Sequence, residues 1–250
     1  MKRSVYYSTA ARNLGLLSFL HFEYQKRVNH SAPFNLISKK LDFPVRARPE
    51  TSDIFAFYQI LVFDEYRCLS ELRSPKLIVD LGANVGYSSA YFLSRFKSCS
   101  VIAVEPDPAN FAVLEKNVAP YSDRVTTIQA AVWPRRERLN LDLAGQGEEW
   151  GVRVKPSADG GVQSVTIPEL LRLSGQDRIS LLKIDIEGSE IELFKSGTEE
   201  WLHHVDNIVI ELHGKDAEEA FFAKIDRSRF SVSRCDELTV CLDSAAPRGG

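Results

Sequence analysis

Short, wholly apolar runs alternate along this chain with stretches whose apolar residues return every three or four positions, the pattern of buried strands separated by helices. Leu77-Ile78-Val79, Val101-Ile102-Ala103-Val104, residues 125–131, Leu181-Leu182-Lys183-Ile184-Asp185 and Ile208-Val209-Ile210-Glu211-Leu212 read as five strands. Between them the spacing predicts helices. One runs to about Phe96, and one opens on an Asp107 cap with Pro108 at its first position and buries Phe111, Leu114 and Val118. A short helix starts at Thr166, with Glu169 three residues on as a capping box and Gly175 as its stop. Another is marked by Ser189 and Glu192 and ends at Gly197, and a last helix spans 216–224. Two polar-interrupted strands, 230–234 and 238–242, close the chain. The expected fold is α/β: a mainly parallel seven-stranded sheet covered on both faces, with an antiparallel edge.

Upstream of the sheet the pattern predicts one helix over 10–27 and an irregular stretch around Pro33 and Pro44. Ser52 or Asp53 then caps a helix carrying Phe55, Ile60, Leu61 and Phe63, before Asp64-Glu65-Tyr66. Residues 133–165 alternate at Leu139-Asn140-Leu141 and Val152-Arg153-Val154 between glycines, which reads as a hairpin-like insertion or substrate lid. The expected organisation is a basic, partly helical extension over 1–50 and one domain over 51–244 with a helical preface at 51–75. A flexible tail over 245–250 follows.

Composition narrows this little and charge narrows it more. The 250 residues, 44% apolar, suffice for one full core. With 31 basic and 34 acidic side chains the formal net charge of −3 removes a global case for nucleic-acid binding. The first 48 residues hold nine Lys or Arg against two acids, however, so this segment is a candidate surface for a membrane or an acidic partner, although a solvated basic flank needs neither. Four scattered cysteines make no metal knuckle or redox pair and read as free thiols. The patch at 14–20 is too short to span a bilayer and no cleavage site follows it, so a cytoplasmic location is expected. Oligomeric state is not legible.

In a parallel sheet, ligands sit beyond the carboxyl ends of the strands, where Asp80, Glu105, Asp185 and Glu211 all fall. Gly82 and Gly86 permit a sharp turn and close backbone approach, but Asn84 stands where a dinucleotide fingerprint has glycine, which weakens pyrophosphate binding. Glu105 ends the second strand, suits the hydroxyls of an adenosine ribose and disfavours a 2′-phosphate. No GxxxxGK[ST] occurs. Two other readings stay open: a dinucleotide-dependent oxidoreductase, if this turn holds pyrophosphate, and a non-catalytic binding protein on an enzyme fold.

The strings Asp80-Leu81-Gly82-Ala83-Asn84-Val85-Gly86-Tyr87-Ser88-Ser89, Val104-Glu105-Pro106-Asp107-Pro108 with Asn110-Phe111, and Leu182-Lys183-Ile184-Asp185-Ile186-Glu187-Gly188-Ser189-Glu190 resemble the FkbM family of S-adenosylmethionine-dependent methyltransferases. The likeness begins near Thr51 and runs through Glu211-Leu212-His213. It implies a Rossmann-like class I methyltransferase fold, with an N-terminal helical extension. It also implies S-adenosylmethionine as cofactor, held by Asp80, Gly82, Asn84 and Gly86, with Glu105 on the ribose and Ala130 beside the adenine. Members are described as O-methyltransferases of secondary metabolites or glycans, so a hydroxyl on a small molecule or sugar is the expected acceptor, and nucleic acid is not.

Methyl transfer from a sulfonium is an in-line displacement with a good leaving group, so the protein chiefly aligns the acceptor and excludes water. An aliphatic hydroxyl also gains from a nearby group that takes its proton. Asp185, Glu187 and His213 are the catalytic candidates, Glu187 because extended geometry would give it the same facing as Asp185. Glu190 reads as a helix-stabilising charge or a further candidate base. Asp185, Glu187, Glu211 and His213 form an oxygen-rich set open to a divalent metal, with no compact ligand motif to prove one. Lys183 either reaches a cleft carboxylate or faces water from a sheet edge. His203-His204 reads as surface, Trp133, Trp150 and Phe111 as apolar or stacking surface, and Glu148-Glu149 as unfavourable to a polyanionic acceptor.

Overall fold

The computed structural model describes residues 3–28, 31–143, 152–157 and 159–244. The acidic pair Glu148-Glu149, Trp150 and the tail over 245–250 lie outside the described residues. The chain opens with α1 (Arg3–Leu14) and α2 (Leu16–Val28) rather than one helix, because Gly15 adopts φ +89°, a left-handed backbone that interrupts the helical path. The stretch expected to be irregular contains a short antiparallel pair, β1 (Phe34–Leu36) and β2 (Val45–Ala47), whose outer residues point inward. A five-residue helix, α3 (Asp53–Phe57), then widens into a π-type turn over Tyr58–Val62. Asp53 heads α3 from a buried position, accepting from Arg48 through the backbone N–H (2.7 Å) and the guanidinium (2.8 and 3.1 Å).

The central sheet is built from β3 (Leu77–Leu81), β4 (Ser100–Val104) and β5 (Val125–Ile128), which precede a smaller sheet. That second sheet comprises β6 (Ala131–Val132), β7 (Arg138–Leu143), β8 (Val152–Pro156) and β9 (Val162–Val165), in which β7 and β8 form the expected hairpin. The strand predicted over 125–131 therefore splits: β5 stays in the main sheet and β6 pairs with β9. The chain returns through β10 (Leu181–Ile184), β11 (Asn207–Glu211), β12 (Phe230–Cys235) and β13 (Leu238–Asp243). The main sheet has the order β12-β13-β11-β10-β3-β4-β5, in which β13 runs antiparallel to both its neighbours, β11 and β12, and the other six strands run parallel to one another. This is the expected Rossmann-like arrangement, and its order reverses between β3 and β10.

Helices α4 (Tyr87–Arg95), α5 (Pro108–Val118), α6 (Ile167–Ser174), α7 (Glu190–Lys195) and α8 (Lys215–Phe222) cover the two faces. The ends of α5 and α6 follow their sequence signals, whereas α7 stops at Lys195 before the expected Gly197 and takes no side-chain cap from Ser189. Asp107 Oδ1 accepts from Asn110 N at 2.8 Å, Thr166 and Glu169 close a reciprocal capping box, and Gly175 stops α6 at φ +66°. Strand parity sends Ile78, Leu181 and Val209 into one core, shared with α1, α2, the preface and α4. The residues that follow them in each strand, Val79, Leu182 and Ile210, point the other way and join the second core beneath α6, α7 and α8. The basic first fifty residues are thus packed into the first core through Leu14, Phe22, Leu36 and Val45. No helix among the described residues is long and apolar enough to cross a membrane.

Candidate active site

The polar residues of the strands follow the same parity as the first core. Asp80 and Lys183 are paired across β3 and β10, two residues after Ile78 and Leu181, so both point toward the preface rather than toward α6 to α8. Burying an ammonium is costly, and here the cost is met by partners. Lys183 Nζ donates to Gly82 O at 2.7 Å and lies 3.2 Å from Asp80 Oδ1 and 3.6 Å from Asp185 Oδ2. Burial alone would lower its pKa, but the Asp80 and Asp185 charges outweigh it, and Lys183 is held protonated. Asp80 Oδ2 also accepts from Ser88 and Ser89 in the first turn of α4, both at 2.6 Å. Asp80 therefore lies beneath the glycine loop, fully buried, tying strand to helix.

The loop itself is built on close approach. Gly82 has φ +72°, and a Cβ there would stand 1.7 Å from Asp185 O. Asn84 is left-handed at φ +49°, its Oδ1 buried without a partner, and its N–H donates to Glu105 Oε2 at 2.9 Å. Glu105 Oε1 accepts from Asp107 N at 3.0 Å. Burial outweighs these hydrogen bonds and raises the Glu105 pKa to about 7. Glu105 sits behind the loop, and Ala130 in the second core.

A cleft of about 1030 Å³ opens at the topological switch between β3 and β10. Gly82, Asn84 and Val85 form one side, and Lys183, Asp185, Glu187, Glu211 and His213 form another. The third wall is the preface, with Phe55, Tyr58, Phe63 and Glu65, while none of the described residues of 133–165 lines the cleft. Asp185 and Glu187 do share the cleft, but not through continued extension: β10 ends at Ile184 and Glu187 has turned to φ +53°. His213 ties the elements together. Its Nδ1 lies 3.0 Å from Glu190 Oε1, and its Nε2 faces Glu187 Oε2 at 3.4 Å and Glu211 Oε1 at 3.6 Å.

Burial disfavours the imidazolium, but the Glu190 hydrogen bond and the charges of Glu190, Glu187 and Asp185 raise the His213 pKa to about 9. Three carboxyls of the cleft are pushed toward their neutral form. Burial, with the Asp185 charge second, raises Glu187, Glu211 and Glu65 to about 7. One ligand atom each from Asp185, Glu211 and His213 falls within 4.8 Å of the others, so the set has room for a divalent cation. His203 and His204 stay on the surface, each bonded to a backbone carbonyl. Glu65 and Glu237, both in the cleft wall, are absent from the sequence candidates. Glu65 has one available signal, a carboxylate set between apolar Phe63 and Tyr66. Glu237 has none, since only the pairing of β13 with β11 brings its turn to this end of the sheet.

The strand order, the glycine loop and the carboxylates at the switch point agree with one domain, the Methyltransferase FkbM domain, which matches residues 80–235. The chain belongs to the FkbM methyltransferase family. Methyltransferase sdnD of Sordaria araneosa is 30% identical over 190 residues, across 62% of this chain and 73% of that protein. Methyltransferase 1 of Beauveria bassiana is 24% identical across 68% of this chain and 78% of its own. The 2-O-methyltransferase NoeI of Sinorhizobium fredii is 23% identical across 63% of this chain and 69% of its own. As an FkbM member the chain is an S-adenosylmethionine-dependent methyltransferase.

Proposed function

We propose that this FkbM methyltransferase methylates a hydroxyl oxygen on a small molecule or sugar. The observation that carries the reading is the meeting of Glu187 and His213, 3.4 Å apart, in a cleft whose other side is the glycine loop. Bound S-adenosylmethionine supplies an activated methyl group on sulfur. The acceptors at this end of the sheet suit it: the unpartnered Asn84 Oδ1 and the Glu105 carboxylate take hydroxyl or ammonium donors and repel pyrophosphate. Asp80 shapes the loop from below, Gly82 and Gly86 let backbone approach the ligand, and Ala130 remains the candidate for the adenine side.

On the acceptor side, Glu187 is the proposed proton acceptor. Its pKa of about 7 leaves an appreciable carboxylate fraction at neutral pH and makes the protonated form stable once the hydroxyl proton arrives. His213, with its pKa raised to about 9, is an imidazolium there, so it serves as charge partner and orients Glu187 rather than acting as the base. Asp185, fixed by Lys183, orients the acceptor or the donor's ammonium group. In balance, the acceptor oxygen gains a methyl, its proton goes to Glu187, and the carbon–sulfur electron pair leaves with sulfur. Similarity to the 2-O-methyltransferase NoeI supports an oxygen acceptor.

The test is incubation with methyl-labelled S-adenosylmethionine and a panel of polyols, sugars and source-extract fractions. Label in a base-stable ether is the expected result. Label in a base-labile ester or on nitrogen, or no binding of S-adenosylmethionine, overturns the proposal.

A further inference from the structure

The helix α2 has two unlike faces. Phe19 and Phe22 enter the first core, whereas Leu16, Leu17, Leu20, Tyr24 and Val28 are exposed, from 54% at Val28 to 82% at Leu17. At 100° per residue these five fall on one arc, in which Arg27 is the charged member. A continuous apolar stripe of this kind on a domain surface marks an interaction site.

Its surroundings select the partner. Arg12 is exposed one turn before the stripe, and Lys39, also exposed, is fixed beside the Gly15 break by the bond from its N–H to Leu14 O at 3.1 Å. Arg27 lies at the far end. The two acids of the first 48 residues are already engaged, Glu23 with Lys26 and Asp42 with Lys97. Apolar side chains flanked by cations and short of anions match the boundary of an anionic bilayer, where leucine enters the acyl region and arginine and lysine meet the headgroups. We propose that α2 docks this enzyme onto anionic membrane surfaces.

The opposite, buried face of α2 packs against the cleft wall. Tyr58 packs against Phe22 with ring centroids 5.1 Å apart, accepts from Lys26 Nζ at 2.5 Å, and itself lines the cleft with Phe55 and Phe63. The docking itself does not rest on the methyl-transfer reading.

The experiment is co-sedimentation of the full chain with phosphatidylcholine vesicles, with and without phosphatidylglycerol, for wild type and the double variant Leu17→Glu/Leu20→Glu. Both positions are exposed, so the variant should keep the wild-type melting temperature and S-adenosylmethionine affinity. Wild type is expected to partition onto the anionic vesicles, less so at high salt, and the variant to lose roughly 10-fold or more in partitioning. Absence of wild-type binding, or equal binding by the variant, overturns the proposal. A dimer in light scattering that the same substitutions dissociate, without vesicle binding, also overturns it and assigns the face to a second copy.

Discussion

Replacing Glu65 with glutamine should stabilise the ligand-free enzyme at alkaline pH and leave it almost unchanged at acid pH. Folding moves this carboxyl from its ordinary 4.5 to about 7, through burial first and the Asp185 charge second. The folded state therefore holds the proton more tightly than the unfolded chain does. Below pH 4.5 both states are protonated and the group costs nothing; through 7 the folded state must ionise a carboxyl that its surroundings disfavour. The gap corresponds to about 3 kcal/mol above neutrality, and the amide has its own desolvation cost, so a gain of roughly 1–3 kcal/mol is expected. For a chain of this size that is several degrees, at about 2–4 °C per kcal/mol. Urea unfolding at about pH 5 and about pH 8.5, without methyl donor, reads both limbs. The gain should shrink in an Asp185→Asn background, because Asp185 is the main charge acting on Glu65. Equal stability of wild type and variant at the alkaline pH, or an equal gain at both, refutes the reasoning. Reduced turnover accompanying the gain would show that the carboxylate is kept at a stability cost for function.

Gly82→Ala should lose about 2 kcal/mol or more and weaken S-adenosylmethionine binding, since its Cβ would stand 1.7 Å from Asp185 O at a left-handed position; wild-type melting and affinity would contradict this. Glu190→Gln removes the charge that touches His213 Nδ1 and should lower the imidazole pKa from about 9 toward 6.5 in an NMR titration, where an unmoved pKa would sink the assignment. In the wild type the stability linked to His213 is full below 6.5 and lost as pH rises through about 9, so Glu190→Gln should flatten the alkaline side of the stability profile. Glu105→Ala should cost at least about tenfold in S-adenosylmethionine affinity by calorimetry, and unchanged affinity in the folded variant would remove it from the donor site.

The strands of the main sheet are legible because their runs are apolar and bounded by glycine, proline or capping residues, and the caps at Asp107 and Thr166 act as their spacing implies. The break in the first helix is not, since a lone glycine within a helical pattern costs only about 1 kcal/mol and commonly passes without consequence. Local pattern also fails at Glu187. Period-two parity holds only to Ile184, and the left-handed turn beyond it reaches the cleft by another path. Asp80 and Lys183 are recognisable as unusual, yet their register across β3 and β10, which makes each the other's reason for burial, is a property of strand order and not of either segment.

The placement of the cleft walls explains why kinship says more about the donor than about the acceptor. The glycine loop, Glu105, Asp185, Glu187 and His213 all fall within the matched stretch 80–235. The wall opposite them, Phe55, Tyr58, Phe63 and Glu65, comes from the preface outside it. That wall is fastened from further upstream: Arg48 bridges Asp53 and Asn110, and Asn117 bonds both Arg46 and Val85. On the proposed reading, the methyl donor and the acceptor's proton are handled by residues inside the matched stretch, and the rest of the acceptor meets a surface outside it. A substitution in the preface can then change which hydroxyl is admitted while the donor loop, its hydrogen bonds and its close approach to Asp185 stay as they are.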